Sequence, residues 1–143
     1  MLFGKQKRIV KRILVVEDEP LTAFDNETML GEAGYTVVAT HDRFADAIVT
    51  LDREQVDLIM SDVRLSGERT GIDLARVAKQ RGIPVLFATG HPPDEASELV
   101  LGCLIKPYSE RVLKAALKAI DQHLAGEKVK PPKGLLLYPL SDG

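Results

Sequence analysis

Four apolar runs in this chain each stop on a residue suited to phosphoryl or metal chemistry. Ile13-Leu14-Val15-Val16 is followed by Glu17-Asp18, the run ending at Ser61 by Asp62, the run ending at Ala88 by Thr89, and Leu101 to Ile105 by Lys106-Pro107. In an open parallel sheet, chemistry sits in the crevice beyond the carboxyl ends of the strands, so these residues would share one edge. Three carboxylates brought together repel and need cations to stay ionised. The Lys106 ammonium and a hard divalent ion with oxygen ligands, Mg²⁺ or Mn²⁺, would supply them. The constellation then reads as a phosphoryl-transfer site. Asp62 is the nucleophile, Asp18 and Asp62 hold the metal, and Glu17 reaches it through a water. The Thr89 hydroxyl and the Lys106 amine bind the remaining phosphoryl oxygens. The product is an aspartyl phosphate, whose added charge would draw Thr89 inward.

Singly, each of these residues has a structural explanation. Asp18 or Glu19 could cap a helix, Thr89 could satisfy a backbone group, Asp62 could be a turn residue and Lys106 a solvated lysine. What favours chemistry is their joint occurrence at the ends of strands, and that depends on the elements between them. Arg12 to Glu17 reads as a β-branched strand, and Pro20 begins a helix in which Leu21, Phe24, Leu30 and Ala33 recur at helical spacing until Gly34. Tyr35 to Ala39 is a second strand, Phe44, Ala47, Ile48 and Leu51 mark a second helix, and Val56 to Ser61 is a third strand. A helix with Ile72, Ala75 and Ala78 on one face leads to a fourth strand, Ile83 to Ala88. Pro92-Pro93 leaves room only for a short fourth helix, from Asp94 to about Val100, before the fifth strand, Leu101 to Ile105. Few packing contacts would make that helix the most mobile part of the fold. Ser109 caps a last helix with a stripe of Leu113, Ala116, Leu117, Ile120 and Leu124. Five strands alternating with five helices predict a flavodoxin-like, doubly wound α/β fold with a five-stranded parallel sheet of order 2-1-3-4-5.

This organisation divides the chain into a basic arm (1–11), one folded domain (12–125) and a tail (126–143) too short for a DNA-binding output domain. The tail turns from a Lys- and Pro-containing stretch to the apolar Leu135-Leu136-Leu137-Tyr138-Pro139-Leu140, which must dock on its own domain or on a partner; docking on its own domain is favoured. The chain has 143 residues, 45% hydrophobic and 28% charged, with a net charge of −2. That balance argues against a protein built to grip phosphate backbones, despite Lys5, Lys7, Arg8, Lys11 and Arg12. Cys103 is the single cysteine, so no internal disulfide forms; no export signal or membrane-length apolar run is present, and a cytoplasmic location is expected. His41, His91 and His123 stand at no ligand spacing, so no zinc site is predicted.

From Arg12 to Leu124 the chain resembles the receiver domains of bacterial two-component response regulators, CheY-like proteins. Glu17-Asp18, Asp62, Thr89 and Lys106-Pro107 stand in the family's order. The resemblance implies a phosphohistidine donor on a histidine kinase or histidine phosphotransfer protein, and signalling through altered contacts with a downstream protein, or service as a phosphate sink or shuttle. It also implies that the backbone carbonyl of Arg64 completes the metal shell and that the peptide before Pro107 is cis. Such a protein catalyses only its own phosphorylation and dephosphorylation.

There are three departures from the family pattern. The family's usual switch aromatic falls on Cys103. Pro84-Val85-Leu86-Phe87-Ala88-Thr89-Gly90-His91 resembles the Pro-Phe-x-Phe-Ala-Thr-Gly-Tyr signature of a subgroup, typically single-domain and linked to HWE-type kinases, with His91 in place of its tyrosine. The segment between Thr89 and Lys106 is several residues short. Alternatives are an aspartyl-nucleophile phosphohydrolase, disfavoured because Arg64 stands where a second carboxylate is needed; a nucleotide-binding protein, disfavoured by the acidic first turn; and a receiver that is never phosphorylated. Kinase, downstream partner, lifetime of the phosphorylated state and oligomeric state are left open.

Overall fold

The computed structural model describes residues 8–140; Lys5 and Lys7 of the basic arm lie outside this range. The elements run β1 (Arg12–Val16), α1 (Pro20–Glu32), β2 (Thr36–His41), α2 (Phe44–Arg53), β3 (Leu58–Ser61), α3 (Gly71–Gln80), β4 (Val85–Thr89), α4 (Ala96–Leu99), β5 (Gly102–Ile105), α5 (Glu110–Leu124) and β6 (Leu135–Leu137). Among the described residues, every strand lies in one sheet of order β2-β1-β3-β4-β5-β6. The first five are parallel, and β6 runs antiparallel to β5.

Two apolar layers sandwich the sheet, because successive side chains of a strand point to opposite faces. Ile13, Val15, Leu58, Met60, Leu86 and Leu104 meet Leu30 of α1 and Leu113, Leu117 and Ile120 of α5. Leu14, Val16, Ile59, Val85, Phe87 and Cys103 meet Ala47 and Leu51 of α2 and Leu74, Ala75 and Ala78 of α3. Burial on both faces is why β3 and β4 read as unbroken apolar runs. Cys103 is fully buried, as a small apolar residue would be.

The doubly wound fold, the order of the five parallel strands and the short α4 match expectation. The number of strands does not: the sheet has six, the last supplied by the tail. Leu135 to Leu137 carries no alternation to mark it as a strand, and its pairing is dictated by the free edge of β5 rather than by its own pattern. The tail therefore docks on its own domain. The facing of α1 also differs from its apolar spacing. Leu21 and Phe24 are exposed, whereas Ala23, Asn26 and Leu30 point inward. Asn26 is tolerated there because its side-chain oxygen accepts a 2.7 Å hydrogen bond from the Tyr108 hydroxyl.

Helix ends follow local chemistry. Thr70 and Asp73 form a reciprocal capping box at α3, and Ser109 accepts from the Val112 N–H at α5. Pro20 opens α1, but Glu19 makes no side-chain cap there, so the acidic stretch before α1 is not spent on capping through that residue. Among the described residues, no helix is long and apolar enough to cross a membrane.

Candidate functional site

Backbone pairing at the strand ends gathers the site. The Asp62 N–H donates to the Val16 carbonyl at 2.9 Å, and the Glu17 N–H to His41 at 2.8 Å, so the residues just beyond β1 and β3 are held side by side. Carboxylate oxygens of Glu17, Asp18 and Asp62 lie within 4.8 Å of one another. Glu17 is buried, Asp62 partly so, and Asp18 exposed. From the far side, the Lys106 N–H donates to the Thr89 carbonyl at 2.9 Å, tying the ends of β4 and β5. The Lys106 ammonium crosses the crevice to Glu17 Oε1 at 2.6 Å and Asp62 Oδ2 at 3.0 Å.

The electrostatics follow from that crowding. Burial is the largest influence on Glu17 and raises its pKa to about 7; Lys106 and the Glu19 N–H pull it down, while Asp62 adds to the rise. For Lys106, burial works against the ammonium, but its bonds and attraction to Glu17 and Asp62 outweigh that and hold its pKa above the ordinary lysine value. Three carboxylates crowded at one strand edge, the most buried of them raised by that burial, make the oxygen donor set that a hard cation would complete. The residues present therefore fit such an ion.

Thr89 sits at the end of β4 with its hydroxyl engaged locally. It accepts from the His91 N–H at 3.2 Å and donates to the His91 carbonyl at 3.3 Å. The predicted set is thus brought together at one edge, with Thr89 facing its own loop and Lys106 facing the acids. The Arg64 N–H donates to Asp62 Oδ1 at 3.3 Å, which places Arg64 in the loop that wraps the Asp62 side chain. The peptide Lys106-Pro107 is cis.

Three supports escaped the sequence reading. Gly71, the first residue of α3, lies so close that a Cβ there would sit 2.0 Å from the Asp62 carbonyl oxygen and 3.0 Å from the Val63 Cα; a glycine opening a helix gives no hint of this. Tyr108 follows the cis peptide and bonds the buried Asn26, pinning the turn after Lys106 to α1. The loop after Asp62 is held at its middle by the Ser66 N–H on the Asp42 carbonyl at 2.9 Å, and by Arg69 over the Phe44 ring at 4.3 Å. These contacts join residues far apart in sequence, and no spacing announces them.

Comparison with known proteins agrees with this geometry. Residues 13–118 match the response regulator receiver domain family. The chain is 33% identical over 122 residues to the two-component response regulator PhoP of Pseudomonas aeruginosa, covering 80% of this chain and 53% of that protein. It is 30% identical over 82 residues to the phyllosphere-induced regulator PhyR of Methylorubrum extorquens, covering 56% of this chain and 31% of that protein. The chain thus spans about half the length, or less, of these curated relatives. The solution structure of SdrG from Sphingomonas melonis superposes with a TM-score of 0.66 at 30% identity, covering 78% of this chain and 97% of that one. With its acids, hydroxyl and lysine at the strand ends and the match running through nearly the whole sheet, the chain belongs to the family of response regulator receiver domains.

Proposed function

We propose that the chain accepts a phosphoryl group on Asp62 from a phosphohistidine of a histidine kinase or histidine phosphotransfer protein. The observation that carries this reading is the placement of Asp62 between two other carboxylates and the Lys106 ammonium. An Asp62 carboxylate oxygen forms the new bond to phosphorus as the bond from phosphorus to the donor imidazole nitrogen breaks. The imidazole leaves with that electron pair and keeps its other proton. Lys106 shifts from Asp62 to a phosphoryl oxygen, and Thr89 exchanges its bonds to His91 for another. Asp18, Asp62 and the Arg64 carbonyl would hold Mg²⁺ or Mn²⁺, with Glu17 acting through a water. When bound, the ion neutralises charge developing on the phosphoryl oxygens. The protein acts on itself, without turning over a separate substrate.

Leu21 and Phe24, 74% and 66% exposed in the first turns of α1 beside Asp18, support α1 as the apolar landing surface for the donor. The Pro84 to His91 stretch, which resembles the subgroup signature, supports a donor of the HWE type. Signalling then passes to a downstream protein by altered contacts, or the chain serves as a phosphate sink or shuttle, in the cytoplasm.

Incubation with Mg²⁺ and acetyl phosphate, followed by peptide mapping, is expected to place the label on Asp62; label elsewhere, or none, refutes the reading. A second expectation concerns pH. A proton on Glu17 competes with a cation, so Mg²⁺ affinity measured by calorimetry should rise about tenfold from roughly pH 6 to pH 8. A flat profile would contradict it. In the metal-free protein the sign for stability is opposite. The raised Glu17 value makes a contribution fully present below the ordinary 4.5 and lost as pH rises through about 7.

A further inference from the structure

The C-terminal segment is fastened along the edge of β5, and of its two outermost backbone bonds one lies at the end of a strand that runs into the phosphoryl site and the other at the end of a segment that starts there. At one end the Ile105 N–H donates to the Gly134 carbonyl at 2.8 Å; Ile105 immediately precedes Lys106. At the other the Tyr138 N–H donates to the Leu101 carbonyl at 2.9 Å. Leu101 closes the segment of His91, α4 and Val100 that begins at the Thr89 hydroxyl. Between these points β6 lies along β5, pairing Leu135 with Leu104, Leu136 with Cys103 and Leu137 with Gly102. The Tyr138 hydroxyl rests 3.5 Å from the Cys103 sulfur, and its carbonyl bonds His123 Nε2 at 2.7 Å.

The site for this segment is built into β5. The three atoms that a Cβ at residue 102 would meet first all belong to β6: the Leu136 carbonyl oxygen at 2.3 Å, Leu137 Cδ2 at 3.2 Å and the Leu136 carbonyl carbon at 3.4 Å. Glycine at 102 leaves room for the tail. Leu135 is buried in the core, but β6 is only three residues long and Leu136 and Leu140 stay 45% and 44% exposed, so the hold is short. Short edge elements with half-buried side chains open at low free energy.

We propose that residues 134–140 form a strap that is docked while Asp62 is free and released when Asp62 is phosphorylated. This rests on the phospho-acceptor reading above. The strap matches the present arrangement at both ends, in which Lys106 contacts an Asp62 oxygen and the Thr89 hydroxyl serves His91. A phosphoryl group on Asp62 takes both partners away, shifting the ends of β4 and β5 to which the fastenings are tied. A segment whose contacts fit one state disfavours the other, and the opposition is reciprocal.

The test is hydrogen exchange on the full chain with Mg²⁺ and acetyl phosphate, with phosphoryl occupancy read by intact mass in the same sample. Exchange at the Tyr138 and Ile105 amides is expected to rise at least about tenfold in the phosphorylated protein and to stay unchanged in Asp62→Asn treated identically. Gly102→Ala, whose added methyl meets its three nearest atoms in the strap, should still take label on Asp62. Its strap amides should exchange fast whether or not it is phosphorylated. Unchanged or slower exchange in protein shown to carry phosphate overturns the strap. Phosphate dependence that persists in Gly102→Ala overturns it as well. A chain that takes no phosphate fails at the earlier reading, and the intact mass separates that result from failure of the strap.

Discussion

Asp62→Asn is expected to abolish phosphoryl acceptance while leaving the protein folded and at least as stable as the parent. The amide has the shape of the carboxylate but no nucleophilic oxygen, so label from acetyl phosphate should fall at least about a thousandfold, to background. Stability should hold because the substitution removes one of three mutually repelling charges. Lys106 keeps its 2.6 Å partner in Glu17, and functional carboxylates held in such proximity generally cost stability rather than supply it. A second consequence can be read independently. Asp62 raises the Glu17 pKa both by hydrogen bonding and by charge, so in the variant Glu17 should titrate below its parental value of about 7. Chemical unfolding midpoints and carboxyl NMR titration would check both. A variant that still takes label, or that unfolds several kcal/mol more easily, contradicts this account.

Gly71→Ala is the second large effect, and it separates position from chemistry. The added methyl must displace backbone, since its nearest neighbours are the Asp62 carbonyl oxygen at 2.0 Å, the Asp62 carbonyl carbon and the Val63 Cα. Overpacking of this kind costs about 1–3 kcal/mol, and here the atoms forced aside include the backbone of Asp62, the proposed acceptor. A misplacement of about 1 Å in a reacting group costs on the order of 100-fold in rate, so acceptance should fall by roughly that factor although every side chain of the site is retained. Gly31→Ala is the control, because a Cβ there meets nothing within 4 Å. That substitution should leave acceptance unchanged and stabilise α1 by about 0.5–1 kcal/mol. If the two variants slow labelling equally, Gly71 does not position Asp62.

The parts of this molecule legible in its sequence are those that depend on one element at a time. The run ending at Ser61 and the run from Leu101 to Ile105 had the length and character of strands buried on both faces, so Asp62 and Lys106 could be placed at their ends. Pro92-Pro93 marked the truncated α4 for the same local reason. Residues whose role depends on a distant neighbour were not legible. Nothing in the sequence near Asn26 shows that Tyr108 satisfies its amide, and with Asn26 facing inward Leu21 and Phe24 face out. Gly71 and Gly102 look like any glycine, and only the backbones that approach them explain the missing side chains. The six-stranded sheet eluded the pattern because three consecutive leucines carry no period, and the edge of β5 decides where they lie.

Cys103 gives the native chain a chemical reporter at the point where the tail meets the sheet. Its sulfur is buried beneath the Tyr138 hydroxyl, and burial raises the thiol pKa, so it should resist alkylating reagents while that contact lasts. Because the chain holds no other thiol, slow modification at that one atom would measure the fraction of time the contact is broken, with no engineered label or truncation required.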